Sequence, residues 1–252
     1  MTTDFNHTAE DYHVAVPTIP DELPEKLLRL GNLRAESMVV ELGCGSGHLA
    51  LALATKGMKV IGIDRSAKLI GIARSRDTSH VVEWITGRAE EYIPTTGLID
   101  MYVAFEAFHL FEDKSAAIIL AERHLRPGGT LCVGWCEYHW EAPLKEEIAE
   151  AFGCIGLPWG DWDYYTCPNF PGLVAERCHS MSPVTLTTFE VATRTNLRQI
   201  AAFLTSIGKV TNISLERRMQ LRRDLETRFF SRVGADLLSG ESKYYLSWCK
   251  RC

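Results

Sequence analysis

Three glycines at alternate positions, Gly43, Gly45 and Gly47, close the apolar run Met38-Val-Val-Glu-Leu and open a helical segment. Alternating glycines let a backbone turn sharply and approach a ligand with no Cβ in the way. Cys44 sits inside this loop and Glu41 just ahead of it. About 20 residues on, Asp64 ends the next apolar run, where a carboxylate can accept both hydroxyls of a ribose. The chemistry implied is recognition of a ligand with an adenosine end. No Lys-Ser/Thr pair follows the loop, which excludes a triphosphate-binding P-loop. The third glycine also comes one position early for a dinucleotide fingerprint, with His48 where that glycine belongs.

Further along, His109 follows the fourth predicted strand on the ligand edge. Histidine titrates near neutrality, so His109 is the candidate base for a hydroxyl acceptor. Packing under the next helix, or orienting the acceptor without taking its proton, explains the same residue. His139, Trp140, Trp159, Trp162, Tyr164 and Tyr165 are candidate acceptor-pocket residues, although aromatics at this density also pack cores and lids. Asp161 and Asp163 among them suit a cationic or polyhydroxylated acceptor, and two solvated loop carboxylates would look identical. No paired Asp/Asn cluster follows the fourth strand, so no metal is expected.

The elements that must hold these residues alternate between strand and helix. Strands are predicted at Met38–Leu42, Lys59–Ile63, Val81–Ile85, Ile99–Phe105 and Thr130–Trp135. Helices are predicted at Gly47–Lys56, Ala67–Ser75 and Lys114–His124, with Pro127-Gly-Gly as a turn after the last. This alternation implies a parallel sheet covered on both faces, with every strand-to-helix loop at one edge. A β-like run at Val184–Ala192, two amphipathic helices and a last strand at Lys243–Trp248 are expected to complete the sheet as an antiparallel edge. The reading is one α/β domain over 1–252: an N-terminal lid segment (1–36), a cofactor-binding core (37–136), an aromatic lid insertion (137–182) and a C-terminal completion (183–252).

The chain of 252 residues, 46% hydrophobic and 23% charged with a net charge of -5, has ordinary globular composition. That balance gives no reason to expect a nucleic-acid partner. Five arginines (Arg217, Arg218, Arg222, Arg223 and Arg228) cluster late in the chain. Acids lie among them and Leu221, Leu225 and Phe229 share one helical face, which reads as a solvated helix. No apolar run suits a membrane helix and the polar start does not look like a signal peptide, so a cytoplasmic protein is expected, as a monomer or homodimer. The eight cysteines then read as reduced thiols, and Cys249-x-x-Cys252 lacks the partners of a metal site.

Glu41-x-Gly43-x-Gly45-x-Gly47 resembles motif I of the class I S-adenosylmethionine-dependent methyltransferases, and Asp64 resembles their acidic motif II residue. Gly87-Arg-Ala-Glu90 is similar to their adenine-framing motif, Asp100–Phe111 to motif IV, and Arg126-Pro-Gly-Gly129 to the turn into their fifth strand. Phe5-x-x-x-Ala9-x-x-Tyr12, Ala107-Phe-His109-Leu-Phe and the predicted helix Thr195–Ser206 resemble the small-molecule branch that includes trans-aconitate methyltransferases. Val16-Pro17, where that branch often has Arg-Pro, and Arg88, where relatives often carry an acid, depart from it. The resemblance implies a Rossmann-like class I methyltransferase sheet and S-adenosylmethionine as cofactor. It implies cofactor contacts from Tyr12, Glu41, Gly43, Cys44, Gly45, Gly47, Asp64, Arg65, Arg88, Ala89, Glu90 and Phe105. Methyl transfer to an O or N atom of a small molecule would follow. An RNA methyltransferase, or a relative that binds the cofactor without transferring its methyl, is the alternative.

Overall fold

The computed structural model describes residues 6, 8–95, 98–139, 142–157, 167, 169–206, 210, 212–232 and 237–252. Seven strands form one sheet: β1 (Met38–Leu42), β2 (Lys59–Asp64), β3 (Val82–Thr86), β4 (Ile99–Phe105), β5 (Leu125–His139), β6 (Thr185–Asn196) and β7 (Leu237–Lys250). Their order across it is β3-β2-β1-β4-β5-β7-β6, with β1 to β5 parallel and the C-terminal strands antiparallel. The chain divides into two compact units. One holds 18–136, 163–189 and 244–252; the other holds 1–17, 137–162 and 190–243.

In the first unit lie α2 (Glu22–Gly31), α3 (His48–Thr55), α4 (Ala67–Arg76), α5 (Lys114–His124) and α7 (Phe170–Arg177). The central strands are continuous apolar runs because both faces are covered: β2 buries Val60 to Ile63 and β4 buries Met101 to Ala104. Val40, Leu42, Ile61, Ile63, Tyr102 and Ala104 join Ile118 and Ala121 of α5 and Phe170 and Val174 of α7 in one cluster. Helix starts are fixed locally. The Ser66 hydroxyl accepts the Leu69 N–H at 3.3 Å to cap α4, and Asp113 accepts the Ala116 N–H at 2.8 Å to cap α5.

Several boundaries differ from expectation by one to six residues, and for two of them the structure shows the cause. The strand expected to start at Thr130 begins at Leu125, and Pro127-Gly128-Gly129 lies within it. Gly128 N–H donates to Arg251 O at 2.7 Å and Arg251 N–H to Gly129 O at 2.9 Å, while a register shift opposite Ile99 and Met101 absorbs the turn-forming residues. The helix expected from Thr195 begins at Leu197, because the Asn196 side chain accepts the Gln199 N–H at 2.6 Å and caps it there.

The second unit contains α1 (Ala9–Ala15), α6 (Ala142–Cys154), α8 (Leu197–Ser206) and α9 (Leu215–Arg232). Leu221, Leu225 and Phe229 of α9 are fully buried against Leu144, Ile148 and Phe152 of α6 and Ile200 and Leu204 of α8. Cationic residues on α9 are engaged within the unit: Arg222 meets Asp11 at 3.5 Å and Glu226 at 3.2 Å, and Arg228 meets Glu147 at 3.3 Å and Glu150. Among the described residues no helix is long and apolar enough to cross a membrane.

Candidate cofactor and acceptor site

The loop after β1 is built on three left-handed glycines, with φ of 76° at Gly43, 54° at Gly45 and 81° at Gly47. The N–H groups of Gly43 and Cys44 donate to Ile63 O at 2.8 and 2.9 Å, tying the loop to β2. Two of these glycines are demanded by packing inside the protein. A Cβ on Gly43 would lie 2.4 Å from the Ala107 Cβ, and one on Gly47 would lie 2.4 Å from the Trp84 ring. Arg76 of α4 anchors the loop from below, its guanidinium donating to Ser46 O at 2.6 Å.

Asp64 is the junction of two loops. Its Oδ2 accepts the Gly45 N–H at 2.9 Å and its Oδ1 accepts the Ser66 N–H at 2.8 Å. Burial raises its pKa, while those two backbone donors and Arg65 oppose the rise. Each carboxylate oxygen keeps a further lone pair, so the group can accept two more hydrogen bonds. A vicinal diol supplies that pair of donors.

Glu41, on β1 beneath the loop, is 3% exposed, and its Oε2 has no hydrogen-bond partner. Burial pushes its carboxyl up to about 8; an Ala50 N–H bond works against this and the charge of Asp64 adds to it. An orphaned carboxyl oxygen at this depth is stabilised by a ligand that brings a donor. Glycine loop, diol-ready Asp64 and orphaned Glu41 together fit the adenosyl and amino-acid ends of S-adenosylmethionine.

After β3, Arg88 is clasped between acids: Glu90 at 2.7 Å, Glu91 at 2.9 Å and Glu112 at 2.8 Å. Glu112 also meets Arg65 at 3.6 Å and donates its N–H to Glu90 at 3.2 Å, joining the loops that follow β2, β3 and β4. Ala89 is buried in the core cluster. At the end of β4, Phe105 stacks on Tyr244 with centroids 6.0 Å apart, and Tyr244 on Phe189 at 5.0 Å. Gly134 permits this across β5, since its Cβ would lie 2.8 Å from Phe105.

His109 lies in a short 3₁₀ turn (Phe108–Leu110) and is partly buried. Burial, reinforced by the positive charge of Lys114, lowers its pKa to about 3, so the ring is neutral near pH 7. Glu41, the glycine loop, Asp64, Arg65, Arg88 to Glu90, Phe105 and His109 thus gather at the carboxyl ends of β1 to β4. Ligands of open α/β sheets bind there, beside the point where strand order reverses between β1 and β4. Tyr12 in α1, and His139, paired with Glu137 at 3.6 Å, belong to the second unit. Trp140, Trp159, Trp162, Tyr164 and Tyr165, with Asp161 and Asp163, lie outside the described residues.

Sequence reasoning missed several supporting residues. Trp84 shapes the glycine loop, Arg76 anchors it, Glu112 clasps Arg88, and Glu106 holds a left-handed backbone at φ 54°. Gly47 and Gly62 leave room for the Trp84 ring, a pairing that the sequence reading did not draw. The others depend on long-range contacts that no spacing reveals.

Comparison with known proteins bears on the fold and on the cofactor. Residues 39–129 match the family model described as "Methyltransferase domain". The chain is 98% covered by an alignment with the S-adenosylhomocysteine complex of a SAM-dependent methyltransferase from Thiobacillus denitrificans, at 18% identity, TM-score 0.55 and 98% of that chain. The fold is that of class I methyltransferases. Among curated relatives, a ubiquinone biosynthesis O-methyltransferase of Aromatoleum aromaticum is 28% identical over 133 residues, 52% of this chain and 57% of that protein. A ribosomal RNA small subunit methyltransferase C of Alcanivorax borkumensis is 28% identical over 129 residues, 49% of this chain and 39% of that protein. These matches span less than two thirds of either relative.

Proposed function

We propose that the protein binds S-adenosylmethionine at the β1–β4 edge and transfers its methyl group to a nitrogen or oxygen of a small molecule. The carrying observation is Asp64, whose carboxylate is locked by the Gly45 and Ser66 N–H groups with two acceptor positions left for a ribose diol. The cofactor would supply an electrophilic methyl on a sulfonium, so the protein's main task is alignment. Near-attack positioning is worth roughly 7–11 kcal/mol in well-oriented systems. Gly43 to Gly47 and the start of α3 would hold the methionine end, with Glu41 receiving a donor from it. The clasped Arg88-Ala89-Glu90 segment would frame the adenine.

His109 acts in this reading as a neutral group that orients the acceptor. A ring that protonates only near pH 3 is a weak base at neutrality, which supports positioning over proton removal. His109→Ala should lower turnover about tenfold, His109→Gln should restore most of it, and the pH profile should keep its shape in both. A profile that loses its acidic limb in the variants would return the base role to His109. Tyr12 as a cofactor contact and His139 as an acceptor contact rest on the family resemblance alone, and substitution of each tests them.

A small acceptor is favoured over RNA by α9, where Arg222 and Arg228 already face carboxylates. Calorimetry with S-adenosylhomocysteine tests the first layer: native chain should bind and Asp64→Asn should bind more weakly. Tight binding of a nicotinamide or flavin dinucleotide in its place would overturn the assignment. Transfer of a radiolabelled methyl to a panel of amines, phenols, carboxylic acids, sugars and RNA then identifies the acceptor.

A further inference from the structure

We propose that Glu106 is the acceptor-side acid–base residue of this site and that the acceptor it receives is an alkylamine, bound as its ammonium ion. The inference rests on the methyltransferase reading and names the substrate class for it. Glu106 directly follows β4, on the β5 side of the point where strand order reverses, whereas Glu41 and Asp64 stand on β1 and β2. It therefore stands at the same sheet edge, one strand over from the glycine loop.

The backbone at Glu106 is held left-handed, φ 54°, with its N–H donating to Gly134 O at 2.9 Å. Glycine or asparagine adopts that conformation more cheaply, so a glutamate there is held in a strained backbone. Its side chain is half satisfied. Oε1 accepts the Cys136 N–H, and Oε2 takes no hydrogen bond among the described residues. No described ion pair includes Glu106, and the residue as a whole is only partly buried.

Among the described residues, no cation is paired with it. Cys136 on β5, Tyr244 on β7 and Cys167 ahead of α7 are the titratable neighbours. Burial raises Tyr244, and lifts Cys167 to about 11 even with Lys114 opposing, so the phenol and that thiol stay uncharged near neutrality. Glu22 adds negative field at Tyr244. Burial lifts Glu106 itself to about 7, with the Cys136 N–H opposing. A carboxylate in these surroundings is stabilised by an incoming cation, and the stacked Phe105 and Tyr244 rings suit an alkylammonium.

The step balances. The ammonium acceptor gives one N–H proton to the Glu106 carboxylate, which becomes a carboxylic acid, and the nitrogen lone pair is freed. That pair forms the N–C bond to the methyl carbon while the C–S bonding pair stays on sulfur. An N-methylammonium product and S-adenosylhomocysteine result, and Glu106 returns its proton to solvent. An ammonium and a phenol, both near pKa 10, lie within reach of such a base, and an alkyl alcohol does not. Only the ammonium forms an ion pair with Glu106 before the proton moves.

The test titrates methylamine, benzylamine and phenethylamine, with phenol and benzyl alcohol as controls, into the chain with and without S-adenosylhomocysteine. Heat of binding and the ¹³C shift of the Glu106 carboxyl are followed together. An amine should bind better than both controls and drive Glu106 to its ionised shift near neutral pH. Glu106→Gln should lose about tenfold or more of that affinity, Glu106→Asp should keep part of it, and S-adenosylhomocysteine should bind both variants as it binds the native chain. Equal amine binding by native chain and Glu106→Gln, a preference for phenol, or no amine binding at all would overturn the proposal. Amine binding without any S-adenosylhomocysteine binding would instead sink the methyltransferase reading and leave the amine site standing.

Discussion

Glu41 and Asp64, on the two strands that the glycine loop ties together, are both acids raised by burial. The consequence for Glu41 has a definite sign. Its carboxyl moves from 4.5 to about 8, so across that interval the folded chain keeps a proton the unfolded chain has released. Stability contributed by this group is complete below about 4.5 and is lost as pH rises through 8. Glu41→Gln should therefore flatten the fall of the unfolding midpoint with pH, gaining most over the native chain above pH 8, while weakening S-adenosylhomocysteine binding. Thermal melts across pH, paired with calorimetry, check both halves. A variant with the native pH slope would refute the assignment.

At the scale of elements, Trp84 of β3 couples α4, β2 and the glycine loop. Its indole N–H donates to Asp77 at 3.1 Å, and Asp77 also accepts the Val81 and Val82 N–H groups at 3.1 and 3.0 Å. Burial works to raise the Asp77 carboxyl, but these three bonds and the field of His80 outweigh it and hold the pKa below the usual range. Stability from Asp77 is present above the ordinary carboxylate pKa and falls away as pH drops through the lowered value. Asp77→Asn should cost about 1–3 kcal/mol at neutral pH, seen by urea unfolding, and should shift the Trp84 fluorescence. Gly47→Ala places a Cβ against the same ring in a left-handed backbone. It should destabilise by about 1–3 kcal/mol and weaken cofactor binding more than Gly57→Ala, whose Cβ would meet only Ala35 at 3.9 Å.

For the whole molecule, ligand binding and folding are linked. A ligand that binds only the folded chain adds about 2.7 kcal/mol at a hundredfold excess over its Kd, or roughly 5–10 °C in a chain of this size. S-adenosylhomocysteine should raise the unfolding midpoint by that amount in the native chain, and by clearly less in Asp64→Asn. Scanning calorimetry would also report whether the two compact units melt together. An unchanged midpoint at saturating ligand would contradict the proposed cofactor site.

Local sequence determined the site's scaffold. Continuous apolar runs can persist only as doubly covered strands, alternating glycines only as a tight loop, and an acid at the end of β2 falls at the ligand edge wherever the sheet is parallel. Hence β1, β4 and α5 stand at the residues their patterns predicted, and motif residues from Glu41 to Phe105 come together. Tertiary structure decided what depends on partners distant in sequence. Arg251 pairs with Gly128 and Gly129 and keeps a turn-like tripeptide in β5, while Gly134 lets aromatic rings from β4 and β7 stack across a strand. It also decided the charge states, since desolvation depends on everything packed around a group: His109 carries the sequence signature of a base, and its surroundings make it a neutral ring. Glu106, held by Cys136 and Gly134 in a conformation no residue pattern announces, became visible only in three dimensions.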